Sequence, residues 1–296
     1  MPCRGFICEV TGAPVSTEAC LHCAQYGERP GCPLTYPLLA GIAEQLAPRE
    51  LGTTPTISGW QMPIISVTEL LGCPLRWQLS QERDYHVKPT EAYWAFRGTL
   101  IHEIVSRYAA AGALVEQRYS VDLAGLRLTG QPDLVHQGHL TNYKTTKTLP
   151  QNIKTFACPR CGQILRRDTW GQRQGSRISC ADCDRTYRVG QEIEAHISPP
   201  EPYAEHIQQL NLYAWLLQQH GIPVVSGEII YLDMGGVLRL PVEIWPYDQT
   251  AVFIQQRLTN FQTSVPAAMD RAARWRCSYC QFSEDCTALA KITKKQ

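Results

Sequence analysis

The chain has 296 residues, 44% hydrophobic and 19% charged, with a formal net charge of +1; this is the balance of a folded globular protein and excludes a disordered one. So small a net charge exerts no overall pull on nucleic acid, and any such binding has to rest on local basic patches. No apolar run reaches the roughly 18 residues of a membrane span, and the first residues lack a charged segment followed by an apolar one, so we expect no membrane span, no secretory signal and a cytoplasmic location.

Thirteen cysteines are more than a reduced intracellular chain of this length uses unless most are ligands, because disulfides do not persist in that compartment. The first set is Cys8, Cys20-x2-Cys23 and Cys32, with Cys3 as an alternative first ligand. Gly12, Pro14, Gly27, Pro30, Gly31 and Pro33 punctuate it, and a segment this short needs a metal to order it, so residues 1–40 are expected to form a small zinc module.

Residues 67–79 have helical apolar spacing, with Ser66 as cap and Glu69 completing a capping box. Residues 97–108 are similar, with Leu100, Ile101, Ile104 and Val105 forming a stripe behind Gly98; His102 within that helix reads by itself as an ordinary core or surface residue. Short strands follow at 120–123, 126–128, 134–136 and 140–144, set apart by Gly125, Gly130 and Gly138. Next comes Cys158-x2-Cys161, then eighteen residues, then Cys180-x2-Cys183, the spacing of a four-cysteine zinc ribbon, placed at 156–190. Its arginines, Arg160, Arg166, Arg167, Arg173, Arg177, Arg185 and Arg188, outnumber its acids; they read equally as phosphate contacts or as the exposed surface of a zinc-stapled insertion.

Residues 207–219 are expected to form a long amphipathic helix carrying Gln209, Tyr213 and Trp215. Residues 228–232 and 237–242 read as a hairpin about the two-residue signal Gly235-Gly236, and 248–261 as a last helix. The third set of cysteines, Cys277-x2-Cys280-x5-Cys286, cannot close a four-thiolate site alone, and Cys73 is its candidate fourth ligand; spacing does not separate zinc from an iron-sulfur cluster.

Pro132-Asp133 and Asn142-x-Lys144 sit on neighbouring strands. This is how a metal-dependent nuclease brings two carboxylates and an ammonium around a scissile phosphate, except that Asn142 stands where the second acid belongs. An amide offers a hard cation such as Mg2+ or Mn2+ only a neutral oxygen.

Ser66-Val67-Thr68-Glu69-Leu70-Leu71-Gly72-Cys73-Pro74-Leu75-Arg76-Trp77, Arg97-Gly98-Thr99-x2-His102, Gly130-x-Pro132-Asp133, Tyr143-Lys144-Thr145 and Gln209-Leu210-x2-Tyr213-Ala214 occur in an order that resembles the RecB-like branch of the PD-(D/E)XK nuclease superfamily. With Cys73 and the C-terminal cysteines, the chain is similar to its iron-sulfur members, which include the CRISPR-associated RecB-like exonuclease and the nuclease modules of AddB-type helicases. The resemblance covers about residues 60–290 and implies an α/β PD-(D/E)XK core, a mixed central sheet flanked by helices, with the ribbon inserted and the N-terminal zinc module appended. It implies His102, Asp133 and the residue at 142 as Mg2+ or Mn2+ ligands, with Lys144 orienting the attacking water or the phosphate. Gln209 and Tyr213 would position the lysine and the nucleic-acid backbone, and a [4Fe-4S] cluster would sit at Cys73, Cys277, Cys280 and Cys286. The partners implied are DNA and CRISPR integrase or other nucleoprotein subunits. No Walker-type motif is present, so no helicase motor is encoded.

Asn142 leaves three readings open: a substitution introduced to trap substrate, a DNA-binding scaffold that no longer cuts, or another acid in its role, with Glu103 and Glu91 as candidates. The expected function is a divalent-metal DNA nuclease, exonuclease-like on single-stranded or frayed ends and suited to trimming CRISPR prespacers, weakened or silenced at Asn142. The alternative is an inactive DNA-binding subunit of a larger complex.

Overall fold

The computed structural model describes residues 3–46, 56–57, 60–168, 176–263, 274–283 and 286; the side chains of Cys3, Arg166 and Arg167 and the whole of Arg173 lie outside the described residues. The chain opens with β1 (Cys3–Ile7), β2 (Pro14–Ser16), α1 (Thr17–Tyr26) and α2 (Tyr36–Leu46), then the short pair β3 (Thr56–Ile57) and β4 (Trp60–Gln61). It continues through β5 (Ile64–Ser66), α3 (Val67–Leu70), α4 (Pro74–Glu82), β6 (Tyr85–Val87) and α5 (Pro89–Arg107). Next are β7 (Leu114–Val115), β8 (Tyr119–Leu123), β9 (Leu126–Gly130), β10 (Leu134–His136) and β11 (His139–Thr145). The ribbon supplies β12 (Ile153–Ala157), β13 (Ile164–Asp168), β14 (Arg177–Cys180), β15 (Arg185–Arg188) and β16 (His196–Ser198). Last come α6 (Ala204–Gln219), β17 (Ser226–Leu232), β18 (Val237–Val242), α7 (Tyr247–Gln262) and a 3-10 turn, Arg274–Tyr279. Among the described residues no helix is long and apolar enough to cross a membrane.

The architecture is mixed α/β, with several mixed sheets. A five-stranded sheet runs β18-β17-β11-β10-β7, in which β11 and β17 are parallel, with Asn142 opposite Ile229 and Lys144 opposite Tyr231. A smaller sheet, β5-β9-β8, lies beside it. Helix α6 packs between the two. Its residues from Gln209 to Leu217 are all buried, so the amphipathic helix expected from sequence is instead enclosed on every side, as a helix inside a domain must be. Gly130, the glycine of the Gly-x-Pro-Asp motif, makes this possible: a Cβ there would lie 2.6 Å from Leu216 Cδ1 and 3.0 Å from the Tyr213 ring. Leu128, Leu140, Leu210, Leu216 and Ile229 are fully buried in this core, each contributing about 1.5–3 kcal/mol by burial.

The capping box forms as expected, with Ser66 Oγ accepting the Glu69 N–H at 3.1 Å and Glu69 Oε2 accepting the Ser66 N–H at 2.7 Å. The helix expected over 67–79 is broken, however. Pro74 takes the first position of α4 and drives Cys73 to φ −85° and ψ 119°, because the residue before a proline is sterically kept out of the helical region. Arg257 of α7 clamps this break, donating to Leu70 O and to Gly72 O at 2.7–2.9 Å. The expected stripe on α5 is only partly used, with Leu100 42% and Ile104 53% exposed. The β17–β18 hairpin forms around Met234-Gly235 rather than Gly235-Gly236. Asp233 Oδ1 accepts the N–H of Gly235 at 2.7 Å and of Gly236 at 2.8 Å, so a carboxylate holds the turn without left-handed glycines.

The N-terminal segment, too short on its sequence to bury a core without a metal, nonetheless contributes to one. Phe6, Leu34, Leu39 and Ile42 form a buried cluster, completed by Val87, Ala92 and Phe96 from outside the segment. β1 pairs in parallel with β6, so the segment borrows from its neighbour the apolar surface it is too short to supply.

Candidate metal and nucleic-acid site

Helix α5 carries His102, the turn after β7 carries Glu116, and Asp133 lies between β9 and β10. His102 Nδ1 is 2.9 Å from Glu116 Oε1 and 3.4 Å from Asp133 Oδ1, and one donor atom from each of the three lies within 4.8 Å of the others. Asp133 is 6% exposed, and its Oδ2 accepts the Tyr143 N–H at 2.6 Å. Glu116 has a φ of 51°, a left-handed conformation that costs a non-glycine residue about 1–2 kcal/mol. Its N–H donates to Asp133 O at 3.2 Å, and Gln131 Nε2 donates to its Oε2 at 2.5 Å. Arg118 Nη2 donates to Gln131 Oε1 at 2.8 Å, so an arginine and an amide hold the carboxylate in place.

Burial pulls the His102 imidazole down, but the hydrogen bond to Glu116 and the Asp133 charge outweigh it, and the net shift is upward. Burial pushes the Asp133 carboxyl above its ordinary value against the pull of Lys144 and His102. Burial pulls the Lys144 ammonium down, opposed by the charges of Asp133, Glu205 and Glu116. Two carboxylates and an imidazole in one partly dry cleft form a donor set suited to a divalent cation, and the Lys144 ammonium, which has no lone pair to give a metal, stands beside them as a hydrogen-bond donor.

Asn142 is fully buried, and among the described residues neither its Oδ1 nor its Nδ2 has a hydrogen-bond partner. Pairing of Leu134 with Thr141 puts Asn142 at the next register position, across from Asp133. By contrast, the other buried asparagine, Asn211, donates to Ile207 O and Glu243 O and accepts the Trp245 N–H at 2.6 Å. A buried amide without a partner costs about 1–3 kcal/mol, so Asn142 is a position where the fold leaves a polar group unanswered.

A cleft of about 640 Å3 is lined by His102, Glu116, Asp133, Lys144, Gln209 and Tyr213, together with Thr68 and Arg118. Gln209 Nε2 donates to Thr68 Oγ1 at 2.8 Å while its Oε1 stays without a partner. Tyr213 is pushed well above its ordinary value, chiefly by burial, so it stays a neutral hydroxyl. The sequence-derived residues His102, Asp133, Lys144, Gln209 and Tyr213 therefore share one cleft. Glu103 also faces it, but is 54% exposed and ion-paired to Arg107. Glu91, 59% exposed, lies in the first turn of α5 beside Lys88, several turns from His102. Neither acid joins the group that His102, Glu116 and Asp133 form. The residue overlooked is Glu116, an acid directly after the apolar pair Leu114-Val115, which no spacing rule connects to Asp133.

The ribbon thiols close tightly, with Sγ separations of 3.8 Å for Cys158–Cys183 and 3.7 Å for Cys161–Cys180. A tetrahedral ion with bonds of about 2.3 Å to sulfur sets its ligands about 3.8 Å apart, so these four cysteines fit a metal. Tyr187 lies 3.2 Å from Cys158 Sγ and lowers that thiol to about 6. In the N-terminal set, burial and then the charges of Cys32, Cys8 and Cys23 push the Cys20 thiol up to about 11, but among the described residues these thiols do not converge to within 4.8 Å as the ribbon's do. Arg29 Nη1 lies 2.8 Å from Cys8 Sγ.

Cys73, Cys277, Cys280 and Cys286 line a second cavity of about 410 Å3. Lys144, Gln209 and Thr68 line both spaces. Arg276 bridges Glu205, at 2.5 Å, and Leu71 O on its wall. His206 on the same wall shares a hydrogen bond with the Tyr231 hydroxyl at Nδ1, 2.9 Å away, and that hydroxyl also accepts the Tyr203 N–H at 3.0 Å. Burial, then the Lys144 and Arg276 charges, lower His206 to about 3.

No protein-family model matches the chain, and no curated protein matches it. A solved structure titled "Crystal structure of SSO0001" is similar over 85% of this chain and 94% of that chain, at 16% identity and a TM-score of 0.48, a likeness too distant to assign an activity.

Proposed function

We propose that this chain is a divalent-metal-dependent DNA nuclease of the RecB-like PD-(D/E)XK type, acting on single-stranded or frayed ends, in which Glu116 supplies the carboxylate that Asn142 does not. The observation that carries the reading is the meeting of His102, Glu116 and Asp133 within 4.8 Å in the cleft that Lys144 also lines. His102, Glu116 and Asp133 would hold Mg2+ or Mn2+, with the Asn142 amide oxygen as a neutral neighbour. When bound, the ion supplies Lewis acidity and a more acidic water. Lys144, its charge favoured by Asp133, Glu205 and Glu116, donates to the attacking water or to a non-bridging phosphate oxygen. Gln209 and the neutral Tyr213 hydroxyl bind the strand beside it. Arg118 adds positive charge at the cleft for the phosphate backbone.

The remaining cysteine sets complete the reading. The ribbon takes zinc, and Cys8, Cys20, Cys23 and Cys32 take a second zinc. Cys73, Cys277, Cys280 and Cys286 take a [4Fe-4S] cluster that ties the break between α3 and α4 to the C-terminal segment. The work fits a cytoplasmic partner of nucleoprotein assemblies such as a CRISPR integrase. The rival reading, a DNA-binding subunit that no longer cuts, draws on the amide at position 142.

Cleavage of end-labelled single-stranded DNA in Mn2+ tests between them. The nuclease reading expects cutting by the unaltered chain and a loss of at least about a thousandfold for Lys144→Ala and Asp133→Asn. Binding without cutting, unchanged by Asn142→Asp, would establish the rival.

A further inference from the structure

The N-terminal module does not merely hang from the core; it is fastened at several points to the segment that runs from Asp84 through α5. Arg4 pairs with Asp84 at 2.9 Å, and Glu9 Oε1 accepts both the N–H and the hydroxyl of Thr90 in the first turn of α5, at 2.9 and 2.7 Å. Gly41 of α2 meets the Phe96 ring so closely that a Cβ would lie 2.7 Å from it. This packing brings the end of α2 to the nuclease cleft, where Gln45 is part of the lining. Thr99 Oγ1 donates to Gln45 Oε1 at 2.6 Å, which fixes the amide plane. The amide nitrogen, with two N–H donors, donates to nothing among the described residues. Thr99 precedes His102 by one helical turn, a spacing of about 5–6 Å between side-chain roots, comparable to the step from one phosphate to the next along a strand.

We propose that Gln45 is a substrate-binding residue, contributed by the N-terminal module, whose amide N–H groups bind the nucleic-acid backbone next to the scissile phosphate. The module would then form one wall of the cleft and help to admit a single strand. This rests on the nuclease reading and assigns a new contact to the same site.

The test is a charge series at one position, Gln45→Glu, Gln45→Ala and Gln45→Lys in the full metal-loaded chain. Affinity for a labelled single-stranded oligonucleotide is read by anisotropy in Ca2+, with KM and kcat in Mn2+ and Tm beside it. We expect Gln45→Glu to weaken binding and raise KM about tenfold, Gln45→Ala about threefold, and Gln45→Lys to bind at least as tightly as the unaltered chain, with kcat and Tm little moved. A purely structural role would weaken all three alike with a fall in Tm, and that outcome overturns the proposal, as does an unchanged KM across the series. If the unaltered chain neither binds nor cuts DNA, the nuclease reading itself fails; if it cuts and the series is flat, this contact alone fails.

Discussion

The ribbon and the carboxylate cleft are both candidate metal sites, built on opposite plans. In the ribbon, ligands come in two pairs, each within a single turn, and the sulfurs stand at the spacing of a tetrahedral ion. In the cleft, His102, Glu116 and Asp133 come from a helix, a left-handed turn residue and a strand end, and they meet only through the packing of those elements on one another. A locally built site depends on its own loop closing, whereas a site built from distant elements depends on the whole core.

Serine at Cys180 should break the contrast if it is false. Cys180→Ser should remove one equivalent of zinc, as structural zinc binding carries on the order of 10 kcal/mol of folding energy for its module, and unfold the ribbon alone. DNA cleavage should stay within about threefold if the ribbon is a separate unit; zinc content and cleavage rate together check this. A large loss of cleavage would mean that the ribbon's arginines hold the substrate.

What the sequence disclosed follows the same division. Every ribbon cysteine was readable, because Cys-x2-Cys is a statement about one turn. That Asp133 and Lys144 come together was readable through their strand context, and that His102 lines the same cleft was expected only through the family resemblance. Glu116 was not readable at all. Its role depends on φ 51° at that residue and on Gln131 reaching back to it, neither of which leaves a periodic trace. The capping box at Ser66 was legible and the break at Cys73 was overlooked, although Pro74 was in plain view; the apolar periodicity ran through a position the proline ring forbids. The burial of α6 on all sides could not be seen without knowing that Gly130 lets it approach β9.

Two of the half-buried histidines sharpen the contrast in the direction of protonation. His102 faces carboxylates and is shifted up, whereas His206 faces Tyr231 and nearby cations and sits at about 3. Between its ordinary value of 6.5 and about 3, the unfolded chain binds a proton that folded His206 refuses. Its contribution to stability is therefore complete above pH 6.5 and is lost as pH falls. Urea unfolding at pH 7 and pH 5 should show a loss of about 2 kcal/mol from this group, absent in His206→Asn. An identical pH dependence in the two proteins would remove His206 from the account.

A comparable or smaller effect concerns the two buried asparagines. Asn142→Leu removes an orphaned amide and should stabilise the chain in chelator by about 1–3 kcal/mol, while Asn211→Leu, which breaks a satisfied set of hydrogen bonds, should destabilise it. Thermal melts in EDTA distinguish the two, and destabilisation by both would mean that Asn142 has a protein partner.

The central claim is that Glu116 is the missing carboxylate, and Mn2+ binding by calorimetry to the unaltered chain and to Glu116→Gln, each with its structural metals in place, tests it most directly. We predict a site on the unaltered chain that Glu116→Gln weakens at least about tenfold, while Glu103→Gln leaves it unchanged. Equal Mn2+ affinity in the unaltered chain and Glu116→Gln would contradict the account.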